Sequence, residues 1–288
     1  MNVAVIGATG QLGSDIVEVF SKDPAFEVIS LSHEDVDVTI LESLKVLERI
    51  KPDVIINTAA YVRVDDSELY PEEAFKVNAI GALNVAKVAE KINAVNVYIS
   101  TDYIFDGEKG RPYKEEDVPN PINVYGASKL MGEIFTRNYS SKHYIIRVAS
   151  LYGKRGARGK GGNFVEWVIE KAKKGEKLRI VSDQFMSPTY TRDVAFALSE
   201  FLKIMPEYGV YHMTNDGFCS WYEFTKAIFE ILGWDVEVEA ISSEELSRLA
   251  RRPRFSALSV GKLRRIGIEM RHWKEALRDY LAERKQKH

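Results

Sequence analysis

Cysteine is almost missing from this chain: Cys219 is the single one in 288 residues. That excludes an intrachain disulfide framework and suits a reducing cytoplasm. With no evident histidine partner, Cys219 reads as a small core residue and not as a nucleophile. Long apolar runs are missing too, since none approaches the roughly 18–20 residues needed to cross a bilayer. The first residues carry no basic, apolar, cleavable pattern, so no signal peptide is expected. His33, His143, His212, His272 and His288 never fall at metal-ligand spacing, and no protein-built metal site is expected. Excess charge is absent as well. The net charge of −2 gives no global field toward nucleic acid or an anionic membrane. Basic runs exist only locally, at Lys154–Lys160 and Arg248–Arg254, both in the second half of the chain.

What is present is a soluble globular composition, with 45% apolar and 28% charged residues. The length suits one large domain or two unequal ones. Over the first ~150 residues, short apolar runs rich in valine and isoleucine alternate with helical patterns. The runs are Asn2–Ile6, Glu27–Leu31, Val54–Asn57, Asn96–Ser100 and Tyr144–Arg147. The helical patterns lie over 13–21, 41–50, 71–92 and 124–140. Such alternation predicts an α/β fold, a doubly wound parallel sheet of the Rossmann type. Ligands bind such sheets beyond the carboxyl ends of the strands. After Gly153 the pattern changes to mixed helices and short strands. The expected organisation is a dinucleotide-binding domain over 1–150 and a smaller α/β substrate-binding domain over 151–288, the two free to interleave in sequence.

Two motifs carry chemistry. Gly7-Ala-Thr-Gly10-Gln-Leu-Gly13 follows the first strand run and opens a helix. Glycines there allow a tight turn and close backbone approach, and the helix N-terminus faces a pyrophosphate. Downstream, Tyr125 and Lys129 in Tyr-Gly-Ala-Ser-Lys stand four residues apart, on one face of a helix. An ammonium beside a phenol is expected to favour phenolate, and the pair can give a proton to a carbonyl or take one from an alcohol. Together the motifs point to a nicotinamide-dependent oxidoreductase.

Further segments extend the pattern: Asn57-Thr-Ala-Ala-Tyr61, Ser100-Thr-Asp-Tyr-Ile-Phe-Asp-Gly107, Gly161-Gly-Asn-Phe-Val165, Ser182-Asp-Gln-Phe-Met-Ser-Pro-Thr189 and Arg251-Arg-Pro-Arg-Phe-Ser-Ala-Leu258. With these, nearly the whole chain resembles the extended short-chain dehydrogenase/reductases, and within them the dTDP-4-dehydrorhamnose reductases. The resemblance implies reduction of the 4-keto group of dTDP-4-dehydro-L-rhamnose to dTDP-L-rhamnose, with Thr101, Tyr125 and Lys129 as the catalytic group. It assigns Gly7, Thr9, Gly10, Gln11 and Leu12 to the cofactor pyrophosphate. Asp37 and Val38 go to the adenine, and Ala59, Ala60 and Tyr61 to the ribose side, with Tyr125 and Lys129 at the nicotinamide end. Asp102, Tyr103, Asn163, Phe164 and Gln184 are assigned to the substrate. Arg192 or Arg252 is a candidate for its diphosphate. In the loop after the second strand, Ser32 and His33 precede Glu34 and Asp35. This favours NADP(H) and leaves NAD(H) use open.

Two positions depart from relatives. Ser150 stands where some reductases of this branch carry a tryptophan against the sugar, which opens the sugar's identity. Tyr103 stands where a dehydratase would have a glutamate, which disfavours dehydration. A reductase or epimerase of another nucleotide-sugar is one alternative. An NADP-binding regulatory subunit, like the non-catalytic subunit of methionine adenosyltransferase, is another. The family implies a homodimer, and some relatives use magnesium at a subunit contact.

Overall fold

Five strands form where the apolar runs lie: β1 Asn2–Ile6, β2 Glu27–Leu31, β3 Val54–Asn57, β4 Val95–Thr101 and β5 His143–Val148. The computed structural model describes residues 1–156 and 162–285. The end of the basic run Lys154–Lys160 and Gly161 of the glycine-asparagine motif therefore lie outside the described residues. A sixth strand, β6 Gly209–His212, joins the sheet from far along the chain and pairs parallel with β5. All six strands are parallel, in the order β6-β5-β4-β3-β1-β2. β3 and β4 are buried along their whole length, as a sheet covered on both faces requires. The order reverses between β1 and β3, so the loops leaving their carboxyl ends part and open a crevice there.

One face of the sheet is covered by the helices Gln11–Phe20 and Thr191–Ile204. Leu12, Ile16 and Phe20 share a core there with Val5, Ile56, Leu198, Phe201 and Met270. The other face carries Gly81–Lys91 and Val124–Tyr139. The pattern over 71–92 is not one helix. It runs Pro71–Phe75, a wide five-residue π-turn Lys76–Ile80, then Gly81–Lys91. The stretch 41–50 starts as a 3₁₀ turn, Leu41–Leu44, before its α-helix Lys45–Ile50.

A second core forms on Val165, Ile169, Leu178, Phe224, Ile228 and Leu277. It joins the helices Phe164–Lys173, Trp221–Leu232 and Trp273–Lys285 to a parallel pair of strands, Leu178–Val181 and Val238–Ile241. Side chains start two of these helices: Asn163 accepts the Glu166 amide, and Ser220 and Glu223 form a reciprocal capping box. Phe164 and Trp221, the first residues of these two helices, line a cleft together with Thr101 at the carboxyl end of β4. Among the described residues no helix is long and apolar enough to cross a membrane.

Candidate active site

A cleft of about 540 Å3 opens at the switch between β1 and β3. Gly7 takes a left-handed φ of +78° at the end of β1. A Cβ on Gly13 would sit 2.2 Å from the Gly7 carbonyl oxygen, so the helix can start this close to the turn only without a side chain. No side chain caps the first turn of Gln11–Phe20, which leaves its amides directed to the cleft. Thr58 Oγ1 donates to the Ile6 carbonyl at 2.7 Å and ties the end of β3 to this loop. Gly7, Thr9, Gly10, Gln11, Leu12, Asp37, Val38, Ala59, Ala60, Tyr61, Tyr125 and Lys129 all line the cleft. His33 lines it too, whereas Glu34 and Asp35 do not. The Asp35 carboxylate instead accepts the Ser32 amide and hydroxyl at 2.8 and 2.7 Å. A glycine cradle over an uncapped helix start fits a dinucleotide.

A neighbouring cleft of about 300 Å3 is lined by Thr101, Asp102, Tyr103, Ser150, Asn163 and Phe164. Tyr125 borders both clefts. Thr101 ends β4, and its hydroxyl donates to Asp102 Oδ1 at 3.0 Å. The Tyr103 ring meets the Tyr125 ring edge-on at 5.9 Å. Asp102 is buried, and that burial pushes its carboxyl up to about 6.

The charge state expected of the Tyr125–Lys129 pair is corrected by burial. Desolvation drives the Tyr125 phenol upward, and the Thr101 hydroxyl beside it offsets this only in part. Desolvation brings Lys129 down to about 7, with Glu133 pulling the other way. The Lys129 ammonium donates to the Ile99 carbonyl at 2.5 Å and lies 4.1 Å from the centre of the Tyr98 ring. Helical spacing brings both residues to the same cleft, but withdrawal from water sets the charge state of each.

Three substrate candidates, Gln184, Arg192 and Arg252, are not among the residues lining either cleft, although the Arg252 charge acts on the cleft-lining Tyr103. Gln184 is buried, and its backbone carbonyl accepts the Trp221 amide. Arg192 is paired with Glu283. Arg252 makes two hydrogen bonds to Asp65, at 3.2 and 2.8 Å, and a third to the Ala250 carbonyl. These guanidiniums are spent inside the protein, a commitment that spacing along the chain does not reveal. Ser150 lines the cleft with a left-handed φ of +43°. Among the described residues no group of three or more His, Cys, Asp or Glu is placed to hold a metal ion.

Sequence reasoning missed other parts. Trp221 and Phe224 line the second cleft, and the Trp221 ring centre is 4.5 Å from that of Phe164. Asn78, inside the π-turn, bonds both the amide and the carbonyl of Tyr61 and reaches Ser128 at 2.9 Å. It thereby clamps a cleft-lining loop to the helix of Tyr125 and Lys129. The asparagine alone gave no signal, because a π-turn has no period of its own to read.

The chain matches the family described as RmlD substrate binding domain over residues 1–286. It is 39% identical to the spore coat polysaccharide biosynthesis protein SpsK of Bacillus subtilis, over 98% of this chain and 97% of that protein. It is 35% identical to dTDP-4-dehydrorhamnose reductase of Aggregatibacter actinomycetemcomitans, over 96% and 97% of the two chains. The crystal structure of dTDP-4-dehydrorhamnose reductase from Bacillus anthracis in complex with NADP superposes with a TM-score of 0.92 at 38% identity, covering 98% and 99%.

Proposed function

The chain belongs to the RmlD substrate binding domain family, and we propose that within it the protein reduces the 4-keto group of dTDP-4-dehydro-L-rhamnose to dTDP-L-rhamnose with NAD(P)H. The observation that carries this is Tyr125 on the border of the two clefts, with Thr101 at its side. The cleft lined by Gly7, Gly10 and Gly13 would hold the dinucleotide, whose nicotinamide would supply the hydride for the carbonyl carbon. The carbonyl oxygen then needs one proton, and the Tyr125 hydroxyl gives it. Reduction calls for a phenol that stays protonated until that moment, which is what burial enforces. The Thr101 hydroxyl orients and polarises the carbonyl. The Lys129 ammonium, buried on the same helix, stabilises the phenolate left behind as the proton leaves.

The sugar side has an aromatic surface although residue 150 is a serine, because Trp221, Phe164 and Phe224 provide one. Names of two of the matched relatives and the polysaccharide role in the name of a third support a nucleotide-sugar as substrate. NADPH is the preferred donor in this proposal. His33 lines the ribose end, while Glu34 and Asp35, which would repel a 2′-phosphate, stay outside the cleft.

The test is oxidation of NADPH at 340 nm with the dTDP-4-keto-6-deoxy sugar generated in situ, and NADH in parallel. Turnover to dTDP-L-rhamnose with a lower KM for NADPH is expected. Tyr125→Phe should keep NADPH binding and lose turnover on the order of 10²-fold or more. Normal turnover in that variant rejects the assignment of the proton donor.

A further inference from the structure

We propose that Glu133 is a positioning residue for the proton-transfer pair: its carboxylate ties the helix of Tyr125 and Lys129 to the carboxyl ends of β4 and β5, and it supplies the negative charge that sustains the Lys129 ammonium. The inference rests on Tyr125 and Lys129 being that pair. Glu133 lies one helical turn beyond Lys129, where side chains four residues apart are neighbours. It is 4% exposed. Ser100 Oγ donates to Glu133 Oε1 at 2.5 Å, and Arg147 grips both carboxylate oxygens at 2.9 and 2.8 Å. Ser100 immediately precedes Thr101 and borders both clefts. Arg147 immediately precedes Val148, which also borders both. One carboxylate therefore joins the three segments whose relative placement sets the Thr101–Tyr125 geometry.

A buried ion pair is a poor device for stability alone, since well-packed apolar groups often do as well. Its location suggests charge as the reason. Around Lys129, its own helix contributes Tyr125 and Glu133, and β4 contributes the Tyr98 ring and the Ile99 carbonyl. Glu73 and Lys76 line the same cleft from the helix Pro71–Phe75 and the π-turn, Asp102 lies beyond Tyr125, and Arg147 on β5 faces Glu133. Of these, Glu133 is the charge that acts on Lys129 against its desolvation. The Arg147 guanidinium holds that carboxylate in place through both oxygens.

The experiment follows the Lys129 side chain directly, in ligand-free protein labelled with 13C at lysine Cε. The resonance missing from Lys129→Arg assigns the signal. In wild type the titration midpoint is expected near the value of about 7 that burial imposes. Glu133→Gln keeps the shape and the acceptor for Ser100 and should lower the midpoint by about one pH unit or more. Since that variant strands the Arg147 guanidinium, Glu133→Gln/Arg147→Met is measured beside it and should move the midpoint the same way. The alkaline limb of kcat/KM should shift to lower pH in parallel. An unmoved midpoint in either folded variant overturns the proposal, as does a loss of kcat/KM that is uniform across pH. Should Tyr125→Phe turn over normally, the proton-donor assignment falls, whereas the lysine titration still reports on Glu133.

Discussion

Asp102 shows how a single buried acid writes itself into stability. Its carboxyl titrates at about 6 in the folded protein, against about 3.9 when unfolded. Below pH ~4 both states carry the proton, and nothing is lost. Between about 4 and 6 the folded state holds a proton that the unfolded state has released, so stability falls as pH rises through this window. Above 6 the cost is complete, at about 3 kcal/mol. Asp102→Asn should therefore melt at higher temperature than wild type at pH 7, with the gap closing as pH drops toward 4. Melting curves across that range check it, and an equal gap at pH 4 and pH 7 would count against it. Such a standing cost at a cleft-lining residue fits a site that gives up stability for chemistry.

At the scale of elements, close approach decides what can vary. Gly13→Ala would force its new methyl against the Gly7 carbonyl, 2.2 Å away, and should weaken NADPH binding at least tenfold, read by quenching of cofactor fluorescence. The Arg252–Asp65 pair fastens the segment 248–255 to the helix Val64–Leu69. Arg252→Ala leaves the half-exposed Asp65 with the Ala250 amide alone and should cost about 1 kcal/mol. It should also speed trypsin cleavage at Arg248 or Arg251, while an unchanged digestion rate would show the clasp to be idle. The strands β1, β3, β4 and β5 were legible because each is a largely buried run rich in β-branched residues, and the half-exposed edge strand β2 was legible from its valine and isoleucine and the turn residues after it. Gly7–Gly13 and the Tyr125–Lys129 spacing were legible because their geometry is local. The break in 71–92 was not, since Ala-Phe-Lys-Val-Asn-Ala-Ile keeps an unbroken helical look. The tie between Arg252 and Asp65 spans 187 residues of sequence, and no local pattern announces it. The phenol's charge state escaped for a related reason: desolvation belongs to the packed site and not to a pair of letters.

For the molecule as a whole, the sheet is finished by residues from well past its own half of the chain. β6 comes from Gly209–His212, and the core under β1 to β5 draws on Val194, Leu198, Phe201, Leu263 and Met270. A short strand such as Gly-Val-Tyr-His carries too little pattern to be assigned before its neighbour is known. A fragment of residues 1–150 should accordingly bind hydrophobic dye and melt without a cooperative transition, as followed by calorimetry. A sharp transition from that fragment would show that its core closes alone. The same arrangement sets a schedule. The apolar flank of Gln11–Phe20 is covered by Thr191–Ile204, so on the ribosome it is made early and buried late. At roughly 5–20 residues per second the wait is on the order of ten seconds or more. During that interval the nascent chain shows water the surface on which the finished enzyme depends, and its yield in a cell becomes a matter of what shelters it until then.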